Sequence, residues 1–164
     1  GHVPGNVGFA MQNRGTLFAM EENHHNRLEP NKRPFHTIIP AMVTRDGKPF
    51  LSFGVMGGDM QPQGHAQVLV NIIDHGMNVQ AASDAARVRH DGSDTPTGDI
   101  MSDGGRLIVE SGVRDEVVNE LKKRGHNVSR GGAGGGYQAI RIDYETGLLH
   151  GGSEARKDGA AIGY

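Results

Sequence analysis

The sequence predicts an α+β fold in a single domain, 1–164, and three observations point there. Strand-like stretches come first, two helical stretches follow, and a strand–helix–strand–strand run closes the chain; a doubly wound fold would alternate strand and helix throughout. The length of 164 residues suits one ordinary domain with a real core. Gly supplies 26 residues, about twice the usual ~7% share. With only 5% aromatics and 35% hydrophobic residues, such a chain reads as one half of a larger core, completed by another chain.

Each element has a local reason. Gly8 to Asn13 reads as a short strand ended by Arg14-Gly15. Glu21 to Arg33 is polar, with His24, His25, Asn26, Pro30 and Asn31, and is loop by composition. Thr37–Thr44 and Pro49–Val55 flank Arg45-Asp46-Gly47-Lys48, whose Asp-Gly pair supplies the positive φ values of a tight hairpin. Pro40 marks its segment as an edge, or as one that joins the sheet late. Gln63 to His75 is the best helix: Ala66, Leu69, Val70, Ile72 and Ile73 recur near the 3.6 period, and Gly76 is the natural stop.

A shorter helix is expected over Val79–Arg87, begun by Met77 or Asn78, and a loop over Asp91–Asp103. Leu107–Glu110 reads as a strand. Arg114–Arg124 reads as an amphipathic helix with Lys122-Lys123-Arg124 at its C-terminal end and Gly125 as cap. The glycine-rich run Gly131–Gly136 leads into a strand over Tyr137–Ile142. A turn at Glu145-Thr146-Gly147 then leads to a last strand, Leu148–Gly151.

Composition excludes several function classes. A net charge of −2 and a pI near 6.5 leave no footprint for nucleic acid or an anionic membrane surface. No apolar run reaches the ~18 residues of a spanning helix, and the N-terminus is not of the signal-peptide type. The absence of Cys rules out disulfides, thiolate metal sites and a Cys nucleophile, without fixing the compartment. Nine histidines invite a metal reading. Their spacing puts no pair on one helical face, so solvated or capping roles are expected, with neither metal nor cofactor. Gly131, Gly134 and Gly136 precede a strand rather than a helix, which is the wrong order for a phosphate loop; a mobile loop or close backbone approach fits better. Glu110, Asp103 and Asp115 need no more than a charged loop and a helix start. No Gly-x-Ser-x-Gly elbow occurs.

The junction Met56-Gly57-Gly58-Asp59 stands out. It joins a strand-like run to a helix, and two adjacent glycines there can turn their N–H groups together toward negative charge that is present or forming. That makes the pair a candidate oxyanion hole. Two further clusters rise above the background: the basic approach to a strand at Asn31–Thr37, and the small and charged tail Gly151–Tyr164.

In order, Lys32-Arg33-Pro34, Pro40, Asp46-Gly47-Lys48-Pro49, Gly57-Gly58, Gln67-Val68-Leu69 and Asn71–Asn78 resemble the small subunit of the gamma-glutamyltransferase family. Gly125-His126, Gln138-Ala139-Ile140, Gly152-Ser153 and the final Gly-Ala-Ala-Ile-Gly-Tyr continue the likeness over essentially the whole chain. The resemblance implies an αββα sandwich of the N-terminal nucleophile hydrolase type, incomplete without the rest of a self-cleaving proenzyme. In that family a Thr exposed by cleavage attacks an amide, with its own α-amino group as base. Gly57 and Gly58 match the oxyanion pair. His36 and Thr37 match the positions that hold the substrate carboxylate, and Asn13 and Arg14 lie in the stretch that contacts the substrate's amino acid head. The implied partners are the large subunit, an upstream nucleophile-bearing segment and a small-molecule amide, with room for a higher oligomer.

Three departures shape the expectation. The chain begins at Gly1 with no Thr-Thr-His-type segment, so this polypeptide alone is expected to lack amidase activity, and a non-catalytic structural subunit is the alternative. The acidic residue for the substrate's α-amino group would fall at Thr16 or Leu17, and neither pairs with an ammonium. His36-Thr37 replaces Ser-Ser, with Arg14 nearby in sequence order and able to offer a bidentate fork. Together these favour a carboxylate-bearing amide over a γ-glutamyl one.

Overall fold

The structure, a computed structural model, describes residues 2–163. It contains two compact units: one runs to His36 and includes Gly92–Gly104, and the other comprises Thr37–Asp91 and the chain from Gly105 onward.

The first unit is mostly turns. Gly8–Asn13 is not a strand, because the segment has no partner ladder among the described residues and a strand exists only by pairing. It leads instead into a 3-10 turn, Arg14–Leu17. Asn26 staples this unit: its Nδ2 donates to Leu17 O at 2.6 Å and Pro96 O at 3.0 Å, and its Oδ1 accepts from Phe35 N–H at 2.9 Å.

The second unit carries the regular elements: β1 (Ala41–Arg45), β2 (Lys48–Met56), α1 (Met60–Ile73), α2 (Val79–Asp84), β3 (Val88–Asp91), β4 (Arg106–Val109), α3 (Asp115–Lys123), β5 (Val128–Arg130), β6 (Gly136–Ile142) and β7 (Leu149–Ser153). Four strands form an antiparallel sheet in the order β1-β2-β6-β7, and β3-β4-β5 form a second, with β4 and β5 parallel. The hairpin forms as expected, with Asp46 at φ 52° and Gly47 at φ 76°, both signs that a two-residue type I′ turn requires. Pro40, which has no N–H for a ladder, precedes β1, and β1 is an edge strand.

One face of the four-stranded sheet is the core. Leu51, Phe53 and Val55 alternate inward along β2 beside Tyr137 and Ala139 of β6, covered by Val68 and Ile72 of α1 and Val79 and Ala82 of α2. Truncating a side chain as buried as Leu51 to Ala would cost about 2–5 kcal/mol. The opposite face is a different surface. Met42, Ser52, Ile140 and Gly151 stand in one register row across it, and Met42, Met56, Ile140 and Leu149 are each about half exposed or more.

Two strands were not legible in the sequence, and the second helix is shorter than expected. It stops at Asp84 because Ala85 turns extended and the chain continues into β3. Strand β3 lacks apolar alternation and is held by side chains instead. Gln67 donates to Val88 O and accepts from Val88 N–H, at 2.8 and 2.9 Å; Gln63 does the same with His90, at 3.0 and 2.7 Å. Four residues apart on α1, these two amides act as a surrogate strand along an edge that would otherwise be open. Gln80 of α2 repeats the device on Ser153 of β7.

Candidate active site

Strand β2 ends at Met56, and α1 starts at Met60. Between them Gly57 sits at φ 134° and Gly58 at φ 59°, values that L side chains rarely adopt. The carbonyls of both glycines face the helix: Gly57 O accepts from Met60 N–H and Gly58 O from Gln61 N–H, each at 3.1 Å. No acceptor among the described residues takes the N–H of either glycine. A turn whose carbonyls are consumed by a helix start, and whose amides have no acceptor among the described residues, leaves two N–H donors available to negative charge.

Gly57 is also sterically fixed. A Cβ there would lie 3.3 Å from Gly135 Cα and 3.4 Å from Gly135 N, and a Cβ on Gly135 would lie 2.9 Å from Val55 Cγ1 and 3.0 Å from an Arg87 guanidinium nitrogen. The glycine-rich run before β6 therefore serves for close backbone approach. On the helical side, a Cβ on Gly64 would lie 2.7 Å from Val55 Cγ1, so α1 presses on the same valine.

Side chains finish the sheet at this end. Val55 and Tyr137 stand opposite each other on β2 and β6. Val55 N–H donates to His65 Nε2 at 3.1 Å, and Tyr137 N–H donates to Glu154 Oε2 at 2.9 Å. In an antiparallel ladder a residue's N–H and C=O point to the same side, so these two residues form the non-hydrogen-bonded kind of pair and turn their polar groups outward. The flanking strands stop short, β1 opposite Phe53, two residues before Val55, and β7 opposite Gln138, one residue before Tyr137. His65 and Glu154 replace the missing carbonyls.

Glu154 belongs to a buried ionic network. Arg87 and Glu154 are both almost fully buried and pair at 2.8 Å. Arg156 donates to Glu154 Oε1 at 2.7 Å, grips Glu110 with Nε at 2.8 Å and with its other fork nitrogen, and reaches Ser83 O and Ala85 O. Arg87 N–H donates to Glu110 Oε2 at 2.9 Å. Burial pushes the carboxyls of Glu154 and Glu110 up. Arg156, backbone N–H donors and Arg87 together outweigh it and hold both below the usual range. Arg87 in turn donates to Gly134 O at 3.4 Å, beside the glycine that abuts Gly57. Glu110 is thus part of a charged core rather than a merely solvated loop residue.

A cavity of about 630 Å³ is lined in part by Glu110, Arg130, Gly131 and Arg156, but neither Gly57 nor Gly58 lines it. Arg130 there is tied to Glu110 O, Val113 O and Asp115. Among the described residues no group of three or more His, Asp or Glu could hold a metal ion, and no helix is long and apolar enough to cross a membrane.

The residues singled out from sequence fall into three places. Gly57 and Gly58 share the turn after β2. Asn13 and Arg14 share the 3-10 turn of the first unit, where Asn13 O accepts from Thr16 N–H at 3.1 Å and Arg14 N–H donates to Gln12 Oε1. His36 is the last residue of one segment of that unit, and Thr37 opens the other unit. Sequence reasoning did not single out His65, Arg87, Gly135, Glu154 or Arg156 as parts of a site. The only signals were the charged residues of the tail and the density of glycine before β6.

Comparison with known proteins accounts for this architecture. The fold is α+β of the N-terminal nucleophile hydrolase type: the chain superposes on a cephalosporin acylase from Bacillus halodurans with a TM-score of 0.80 at 43% identity, covering 96% of this chain and 28% of that one. It also matches a T380A mutant of Helicobacter pylori gamma-glutamyltranspeptidase, TM-score 0.80 at 26% identity, over 95% of this chain and 86% of that one. The family model described as Gamma-glutamyltranspeptidase matches residues 1–164, and the chain belongs to that family. A glutathione hydrolase-like proenzyme, YwrD, of Bacillus subtilis (strain 168) is 40% identical over 163 residues, covering 97% of this chain. The chain spans 30% of that relative's length.

Proposed function

We propose that this chain is the C-terminal, oxyanion-bearing part of the small subunit of an amide-cleaving N-terminal-threonine hydrolase or acyltransferase. The carrying observation is the Gly57–Gly58 turn, with both carbonyls engaged by α1 and the amides left to face a ligand. In the reaction, a Thr hydroxyl from another segment of the proenzyme adds to the amide carbon, and its α-amino group takes the proton. Negative charge moves onto the former carbonyl oxygen, where the Gly57 and Gly58 N–H groups stabilise it. The amine departs with a proton, leaving an acyl-enzyme that water or an acceptor amine resolves.

The partner in this reading is the large subunit together with the nucleophile-bearing segment. The half-exposed Met42, Met56, Ile140 and Leu149 on one sheet face support it, since an apolar sheet face needs a cover. The substrate is a small amide bearing a carboxylate, with Asn13, Arg14, His36 and Thr37 as its contacts. Arg14 and the His36-Thr37 pair favour a carboxylate, and Thr16-Leu17 offers nothing to an ammonium. A cephalosporin acylase among the relatives fits a substrate range wider than γ-glutamyl compounds.

The test uses the complete protein. A dicarboxylic monoamide should be hydrolysed with kcat/KM about tenfold or more above a γ-glutamyl anilide, because a site without an acidic partner gains nothing from the ammonium. The reverse preference would return the enzyme to γ-glutamyl substrates. Turnover of neither, with no acyl-enzyme trapped, would favour a purely structural subunit.

A further inference from the structure

The end of β2 is held by a histidine that no step of the proposed reaction uses. His65 is half-buried on α1, its ring tilted against Phe53 at a centroid distance of 4.8 Å, and its Nε2 lies 3.1 Å from Val55 N. The backbone N–H can only donate, so Nε2 must be the unprotonated nitrogen and the ring proton sits on Nδ1. Imidazolium, with both nitrogens donating, could not make this bond.

We propose that His65, as the neutral Nδ1–H tautomer, is a positioning residue for the oxyanion turn: by accepting the Val55 N–H it fixes the direction in which the Gly57 and Gly58 amides leave the sheet. Only Met56 separates Val55 from Gly57. Strand β1 has already ended opposite Phe53, so no backbone carbonyl of a flanking strand can hold this amide. Gly64 and Gly135 both approach Val55 so closely that a Cβ on either would press on its Cγ1, and Gly135 is the backbone against which Gly57 rests. The valine is therefore packed against two glycines and held along its hydrogen-bonding direction by His65. Oxyanion donors act through preorganised geometry, and misplacement of about 1 Å costs on the order of 10²-fold in rate. A residue that sets the position of Val55 thereby sets the catalytic geometry without touching substrate.

The proposal rests on the reading that Gly57 and Gly58 receive the oxyanion, and its experiment separates the two. In the complete protein, His65→Ala removes the acceptor, whereas His65→Gln offers Oε1 at similar reach. H65A should lower kcat about ten- to a hundredfold with KM changed less than about twofold, and H65Q should restore most of the loss. Hydrogen exchange at the Val55 amide, measured without substrate, should accelerate in H65A and return toward the wild-type rate in H65Q. Unchanged kcat in H65A, or an H65Q as impaired as H65A, overturns the positioning role, the latter because packing rather than an acceptor would then be what matters. Wild-type protein that cleaves no amide overturns the oxyanion reading instead, while Val55 exchange still reports whether His65 holds that backbone.

Discussion

The two ends of β2 solve the same geometric problem in different ways. At one end Asp46 and Gly47, both at positive φ, return the chain into β2 from β1, and a Cβ added at Gly47 would meet nothing within 4 Å. At the other end Gly57 and Gly58, again both at positive φ, send it into α1, and Gly57 is wedged against Gly135. The first turn is closed by local backbone preference and by a contact between its own flanking residues, the Arg45 guanidinium 3.8 Å from the centre of the Phe50 ring. The second is imposed by a helix, a glycine loop, a histidine and a buried ion network. A turn that only connects strands can be self-sufficient; a turn proposed to aim two amides has an external frame.

Removing that frame should have the largest effect. Glu154→Ala leaves Arg87 buried without its closest carboxylate and Tyr137 N–H without an acceptor. Breaking such a pair from one side costs about 3–5 kcal/mol, to be read as a lower urea midpoint of the complete protein. The pH dependence has a definite sign. Glu154 and Glu110 have pKa values lowered in the folded state from an ordinary 4.5, so their contribution is fully present above 4.5 and fades as pH falls below it. The stability advantage of wild type over E154A should therefore shrink between neutral pH and about pH 3. A constant difference across that range would mean that Glu154 acts by packing rather than by charge. The hairpin end has no such frame to lose.

Next comes the wedge itself. Gly57→Ala forces an L residue to φ 134° and places its Cβ 3.3 Å from the Gly135 backbone, so the turn must move. Losing one oxyanion donor typically costs 10²–10³ in kcat, and G57A should fall by about that factor. Retention of full activity would remove Gly57 from the oxyanion role.

How much of this was legible in the sequence follows the same division. The hairpin was readable from Asp46-Gly47, and α1 from its apolar period and Gly76, because both are set by short-range preferences. The glycine pair at 57–58 was readable as a junction and as a candidate oxyanion hole, and the family resemblance matched it to the same proposed role. What could not be read was the frame. Arg87 and Glu154 are far apart in sequence and look like ordinary surface charges until the sheet brings them together. His65 was expected to be solvated or capping. It does cap, but the group it caps is a strand amide left over where β1 stops, which no helical pattern reveals. Strand β3 was invisible because Gln63 and Gln67, rather than its own apolar residues, hold it in place. The Gly8–Asn13 strand failed for the converse reason, an apolar stretch with no ladder to join.

The smallest effects should come from the two glycines that differ only in context. Gly58 at φ 59° and Gly47 at φ 76° both have open space where a Cβ would go, so Ala at either position pays only the left-handed backbone penalty of about 1–2 kcal/mol. The two variants should lose similar stability, measured side by side in urea. Their activities should separate only modestly. G47A lies at the opposite end of β2 and should leave kcat unchanged. G58A keeps its N–H and, with room for the methyl group, can keep its backbone angle, so a loss of a few-fold is expected rather than the 10²–10³ of a deleted donor. A G58A as inactive as G57A would mean that the turn tolerates no added atom on either residue, and that substrate itself occupies the open space beside Gly58.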